Sequence, residues 1–208
     1  LKLVLATRNA DKFREIARLL ESLPVQLLSL EELPGAPDVI EDGSTFEENA
    51  VKKARSACRY SGEVSLGEDS GLAVDHLAGA PGILSARFAG EDATYEQNNE
   101  KLLSVLAGLP PEKRAAAFVC VAALSFPQGE VLTFRGTCAG RISDSPRGVA
   151  GFGYDPVFLV PEYGKTFAEL GEDVKNRISH RAVAMSRVES YLALKLAGWS
   201  PRDPAAGD

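Results

Sequence analysis

Hydrophobic periodicity switches at the very start of the chain, and that switch restricts the fold more than any other feature. Leu3, Val4 and Leu5 make a short apolar run, the pattern of a buried strand. From Asp11 to Leu23 the apolar residues Phe13, Ile16, Ala17, Leu20 and Leu23 recur at the spacing of one helix face. A strand, the loop Thr7-Arg8-Asn9-Ala10 and an amphipathic helix therefore open the chain. Val25–Leu30 reads as a second strand, and Leu33–Gly43 as a loop punctuated by Pro34, Gly35 and Pro37. Thr45-x-x-Glu48 fits a capping box for a helix with Phe46, Ala50, Ala54, Ala57 and Cys58 on its apolar face. Val64–Leu66 and Leu72–Val74 are strand-like, with Gly67–Gly71 as the junction between them. Gly79-Ala80-Pro81-Gly82 reads as a turn, and Thr94-x-x-Gln97 opens a helix that buries Leu102, Leu103 and Leu106. Ala115–Phe126 and Val131–Cys138 form a strand pair across Pro127–Glu130. Pro146–Pro161 is rich in Gly and aromatic residues. Ser179 caps a last helix to about Ala197, with Ala182, Met185, Val188 and Leu192 inward. Residues 198–208 read as a frayed tail after a single domain spanning 1–197. Helices alternate with strands first and strands dominate the middle, so the class is α/β or α+β with a mixed sheet.

Composition excludes several functions. The 208 residues hold 23 Lys+Arg against 29 Asp+Glu, a net charge of −6 that disfavours binding to a nucleic-acid backbone. The longest apolar run, Ala115–Leu124, is about half the ~20 residues that cross a bilayer. The three cysteines, Cys58, Cys120 and Cys138, are odd in number and contain no CxxC. They suit a reducing cytosol and support neither a disulfide frame nor a zinc site.

Four segments concentrate polar residues at the ends of apolar elements. Thr7, Asn9 and Lys12 place a hydroxyl, an amide and an ammonium at a helix start, where free N–H groups also favour phosphate. The plain alternative is an Asn cap beside a solvated Lys. Glu41 could ligate Mg²⁺ through hard oxygen donors, and Asn49 and Lys53 share a helix face one turn apart. Without context, a surface acid and a solvated Lys is the better reading. Glu68-Asp69-Ser70-Gly71 joins two acids to a Gly between apolar runs, which suits either a bound cation with a water-activating carboxylate or a hairpin turn. Gly151-Phe152-Gly153-Tyr154-Asp155 leaves an aromatic face open for a planar base. Lys175 and Ser179-His180-Arg181 follow it. Cations at a helix N-terminus are electrostatically misplaced, which a ligand bearing negative charge or carbonyl acceptors would resolve.

Together these segments resemble the inosine triphosphate pyrophosphatase family, the XTP/dITP diphosphatases, from Leu5 to about Arg187. The matching stretches, in order, are Leu5-Ala6-Thr7-Arg8-Asn9-x-x-Lys12, Thr45-Phe46-x-x-Asn49-Ala50-x-x-Lys53-Ala54, Glu68-Asp69-Ser70-Gly71-Leu72, Gly151–Pro156 and Ser179-His180-Arg181. Gly79-Ala80-Pro81-Gly82-Ile83-x-Ser85-Ala86-Arg87 adds another. The resemblance implies two lobes about a long mixed sheet flanked by helices, with the active-site cleft between them, in a cytoplasmic homodimer. It implies hydrolysis of ITP, dITP and XTP to the monophosphate and pyrophosphate, with Mg²⁺ and without a nucleic-acid or membrane partner. Carried over by position, Thr7, Asn9, Lys12, Lys53 and Ser70 hold the triphosphate. Glu41 and Asp69 bind or position the metal, and Asp69 is the base for the attacking water. Phe152 stacks on the purine, in a pocket with Gly153, Tyr154, Asp155, Lys175, His180 and Arg181. Two positions depart from the family: Arg8 stands where Gly is common, and Glu68 where many members carry Asp. The competing readings are a Maf-like pyrophosphatase of pyrimidine or modified nucleotides and a nucleotide sensor without turnover.

Overall fold

In the computed structural model, which describes residues 1–198, the opening apolar run is strand β1 (Lys2–Leu5). Leu3 and Leu5 pack into one cluster and Val4 into another on the opposite face, so the run is buried on both sides. β1 pairs in parallel with β2 (Gln26–Ser29) and with β3 (Val64–Val74). Parallel neighbours need crossovers, and helices α1 (Ala10–Leu19) and α2 (Phe46–Ser61) supply them. From β3 onward the pairing is antiparallel through β4 (Ala115–Ser125), β5 (Val131–Ile142), β6 (Phe158–Val160) and β7 (Lys165–Thr166). The seven strands lie in the order β2-β1-β3-β4-β5-β6-β7. Helices α3 (Tyr95–Val105), α4 (Phe167–Leu170), α5 (Glu172–Ile178) and α6 (His180–Leu196) complete the described chain. The expected mixed sheet flanked by helices is what forms.

The largest departure concerns Gly67–Gly71, which is neither a loop nor a turn. It lies within β3, and every residue from Ser65 to Val74 pairs with β4. Gly67 serves close approach there: a Cβ would press into the Ala50 carbonyl and the Ala54 amide of α2. The Ala-rich face of α2 thus packs backbone against backbone on the centre of the sheet.

Element ends also differ from the pattern. α1 stops at Leu19, although Leu20 and Leu23 remain buried in the turn beyond it. Thr45 caps α2 by accepting from the Glu48 amide at 3.1 Å, but the Glu48 carboxylate turns to Ser44, leaving half a capping box. The box at Thr94 is complete. β5 runs past Cys138 to Ile142, carried by pairing with β4 up to Ala115↔Arg141. Segments β6, β7, α4 and α5 were not legible as elements, since each is too short to show a period. Of the tail expected over 198–208, all but Gly198 falls outside the described residues.

Two hydrophobic clusters share the long strands. One joins β1 and the outer half of β4 to α1 and α6. The other gathers Leu72, Phe118, Phe158 and Phe167 with Leu102 and Leu106. Between them, at Glu68–Ser70 of β3, the polar residues gather.

Candidate active site

Successive strand residues point to opposite faces, and the pleat sends the two acids of β3 in different directions. Glu68 meets α1 and α6: Lys12 Nζ lies 2.8 Å from one carboxylate oxygen, and Arg181 Nη2 donates to the other at 3.1 Å. Asp69 meets α2 instead, accepting from Lys53 Nζ at 3.0 Å and from Asn49 Nδ2 at 3.3 Å. Adjacent carboxylates therefore have separate environments. Burial alone would raise Glu68, but Arg181 and Lys12 outweigh it and hold the group well below the ordinary carboxylate range. For Asp69 burial wins, and with Glu68 alongside it lies above the ordinary Asp value despite Lys53.

Asp69, Glu41, Lys53 and Thr7 line one compartment, of about 450 Å³. Lys53 Nζ bridges the two acids, 2.9 Å from Glu41 Oε2. Burial opposes both charges, yet the mutual attraction lowers Glu41 and raises Lys53 from their ordinary values. Asn49 ties the arrangement together, because its Oδ1 accepts from the Gly43 amide at 2.8 Å and its Nδ2 faces Asp69. Asn9 caps α1 as its residue type suggests, with Oδ1 accepting from the Asp11 and Lys12 amides, both at 3.0 Å. Lys12 is ion-paired rather than solvated.

Phe152, Gly153, Tyr154, Asp155, Lys175, His180 and Arg181 line a second compartment, of about 110 Å³. Asn9, Lys12 and Ser70 border both, so the two are contiguous. Ser70 Oγ accepts from Arg181 at 3.0 Å. Asp155 Oδ2 accepts from the Phe152 amide at 2.9 Å and from Lys175 at 2.6 Å, which folds the Gly-rich loop onto its own carboxylate. Burial raises Asp155 above the ordinary Asp value even beside Lys175. Tyr154 is turned inward, and its hydroxyl donates to the Ser85 carbonyl at 2.9 Å. His180 is buried and stacks on Phe118, with ring centroids 4.6 Å apart and planes 9° from parallel. Burial first, then Arg181, keeps its imidazole well below the usual His value, hence neutral. No ligand is needed to offset Arg181 at the start of α6: Glu68 and Glu15 do so from within the chain.

Residues 3–191 match the model of the Ham1 family. The chain belongs to that family. It is 53% identical over 198 residues to a dITP/XTP pyrophosphatase of Geobacter sulfurreducens, covering 95% of this chain and 97% of the relative. A dITP/XTP pyrophosphatase of Desulforamulus reducens is 50% identical, with 92% and 96% covered. The solved structure of a HAM1 protein from Coxiella burnetii superposes with a TM-score of 0.85 at 40% identity, covering 93% and 98% of the two chains. The ordered stretches that carried the resemblance in sequence lie within this Ham1 match.

The structure adds residues that sequence reasoning passed over. Glu15 meets Lys175 Nζ at 2.5 Å and also pairs with Arg181. Its signal was available, three residues after Lys12 on the same face of α1. Asn99 Nδ2 donates to the Gly153 carbonyl at 3.0 Å, and Tyr95 lines the smaller compartment. Arg8 replaces the common Gly without a left-handed backbone, since Ala78 is the one non-Gly residue with positive φ among those described. Its guanidinium instead pins the loop beyond β2, donating to Asp38 and to the Ala36 carbonyl, both at 2.8 Å.

A divalent cation fits the larger compartment. Among the described residues no group of three or more His, Cys, Asp or Glu stands together as a closed metal cage. Glu41 and Asp69 are two hard-oxygen donors held by one ammonium. Two such donors suit a hard divalent cation that takes one or two carboxylates and fills its shell with water and phosphate. No described helix is long and apolar enough to cross a membrane.

Proposed function

We propose that this Ham1 protein hydrolyses ITP, dITP and XTP to the nucleoside monophosphate and pyrophosphate, removing deaminated purines from the nucleotide pool. The observation that carries the reading is the junction of the two compartments: Asn9, Lys12 and Ser70 stand between a carboxylate–lysine cluster and an aromatic pocket. A nucleotide with its base at Phe152 has its phosphates at Thr7, Asn9, Lys12, Lys53 and Ser70. Glu41 and Asp69 hold Mg²⁺, which when bound neutralises phosphate charge and completes the electrostatics that phosphoryl transfer requires.

Asp69 accepts a proton from the attacking water as its oxygen bonds to the α-phosphorus, and the bridging oxygen leaves with pyrophosphate. Asn49 keeps the carboxylate aimed. Lys175, neutral His180 and Arg181 bring nitrogens to the base pocket, where donors suit a 6-oxo group. Adenine offers an amino group there and leaves buried donors unpaired, a mismatch worth ~10⁴-fold in selectivity. The proposal includes a cytoplasmic homodimer, for which light scattering should give a mass twice that of the chain.

Pyrophosphate release from dITP, XTP, GTP and dTTP, each with and without Mg²⁺, tests the reading. Release from dITP and XTP is expected only with metal and well above GTP; turnover of dTTP instead points to Maf-like chemistry. Asp69→Asn should lower turnover by roughly 10²- to 10⁴-fold, the range of general-base catalysis. Affinity for dITP measured without Mg²⁺ should hold, because a negative charge facing the triphosphate is removed, while Mg²⁺ itself should bind more weakly. An Asn variant with near-normal turnover rules out Asp69 as the base.

A further inference from the structure

We propose that Tyr95 is a second aromatic wall of the base compartment, so that the purine is held between two rings rather than stacked on Phe152 alone. This rests on the nucleotide reading above and assigns it a further binding residue. Tyr95 and Phe152 line the same cavity, with ring centroids 6.0 Å apart and planes inclined by 39°. Nothing in the core requires Tyr95, which is 37% exposed. Both ends of the side chain nevertheless face the site.

Its hydroxyl accepts from Asn9 Nδ2 at 3.3 Å. The oxygen of that amide is already committed to capping α1, so the amide orientation is fixed and its N–H₂ must face the site. One N–H reaches Tyr95, and the second is free for a phosphate oxygen. Tyr95 thereby links the phosphate end of the site to the base end.

The backbone beneath the ring is equally constrained. Tyr95 opens α3 directly after the complete capping box at Thr94. One turn later on the same face, Asn99 donates to the Gly153 carbonyl, next to Phe152. Asn98 fastens the helix to the preceding segment, accepting from the Ala89 amide at 2.7 Å and donating to the Ala86 carbonyl at 3.0 Å. One helix therefore positions Tyr95 and anchors the loop of its partner ring. The compartment of about 110 Å³ lies below the ~300 Å³ where ligand pockets usually begin, so a base held between the rings requires Phe152 to move away from Tyr95.

Calorimetric binding of dIMP and of inorganic tripolyphosphate to the full chain, as unmutated protein, Tyr95→Ala and Tyr95→Phe, tests the wall. The Ala variant should bind dIMP about fivefold or more weakly, the lower end of what one base–aromatic stack contributes. The Phe variant should recover most of that loss, and tripolyphosphate, which has no base, should weaken several-fold less than dIMP. The KM for dITP should rise in the Ala variant with little change in kcat. Four results overturn the proposal: dIMP binding in the Ala variant within twofold of normal or tighter, an equal loss in the Phe variant, an equal loss for tripolyphosphate, or no dIMP binding by the unmutated protein. If the unmutated protein binds dIMP but releases no pyrophosphate from dITP, the functional reading fails while the dIMP comparison still decides the wall.

Discussion

Glu15 is where the electrostatics of the smaller compartment meet. Lys175 and Arg181 are both nearly inaccessible to water, and each also leans over the Phe152 ring, at 4.7 and 5.6 Å from its centroid. Their charges are tolerable because Glu15 takes both, aided by Asp155 on Lys175 and Glu68 on Arg181. Removing one member of a buried ion network leaves uncompensated charge, at a cost of about 3–5 kcal/mol. Glu15 keeps some solvent contact, so Glu15→Ala should cost about 3 kcal/mol, the lower end of that range. Urea unfolding measures it, and a loss under about 0.5 kcal/mol, typical of exposed pairs, would show that water already screens the network. The same variant should bind dITP less well, since the two cations that face the compartment proposed for the base lose their fixed positions.

At the scale of elements, the start of α6 depends on a strand residue without a side chain. A Cβ on Gly136 of β5 would run into the His180 carbonyl and the Ala184 amide, so α6 can lie this close only over glycine. Gly136→Ala should push the helix start outward, costing about 1–3 kcal/mol as overpacking does. It should also lower kcat/KM for dITP more than thermal destabilisation alone would, because His180 and Arg181 move with the helix. Activity assayed well below the unfolding midpoint separates the two effects; unchanged kcat/KM there would mean that α6 shifts without disturbing the pocket. This packing also explains what was legible in the sequence. α2, α3 and α6 could be read because period and caps agree, down to Ser179 accepting from the Ala182 amide at 3.1 Å. β3 was broken in two because Gly67 and Gly71 carry the signature of a turn, whereas close approach of α2 and of the Gly82–Ser85 segment is what requires them. The charged residues of the site could be picked out from their types. Their pairing could not, because Glu15 and Arg181, or Lys53 and Glu41, meet only through tertiary packing.

For the whole molecule, the buried titratable groups make stability depend on pH in opposite directions. His180 holds its proton less well when folded than at its ordinary value of 6.5, so below that pH the unfolded chain binds more protons. Stability therefore falls as pH drops from about 6.5, by at most about 1.4 kcal/mol per pH unit from this one group. Asp69 and Asp155 act the other way, since burial makes each bind a proton more readily when folded. Glu68, held well below the carboxylate range, again favours the folded state, fully above its ordinary value of 4.5 and progressively less as pH falls from there toward its lower folded value. Replacing the imidazole isolates its share. His180→Phe keeps a ring against Phe118 and abandons no hydrogen bond through Nδ1, which has no partner. Unfolding free energies from urea titrations at pH 7, 6 and 5 should decline less steeply in this variant than in the unmutated protein, so the gap between the two curves should shift in favour of the variant toward the acidic end. Parallel curves would mean that His180 takes up its proton as readily in the folded chain as in the unfolded one, and the neutral imidazole assigned to the base compartment would be lost with it.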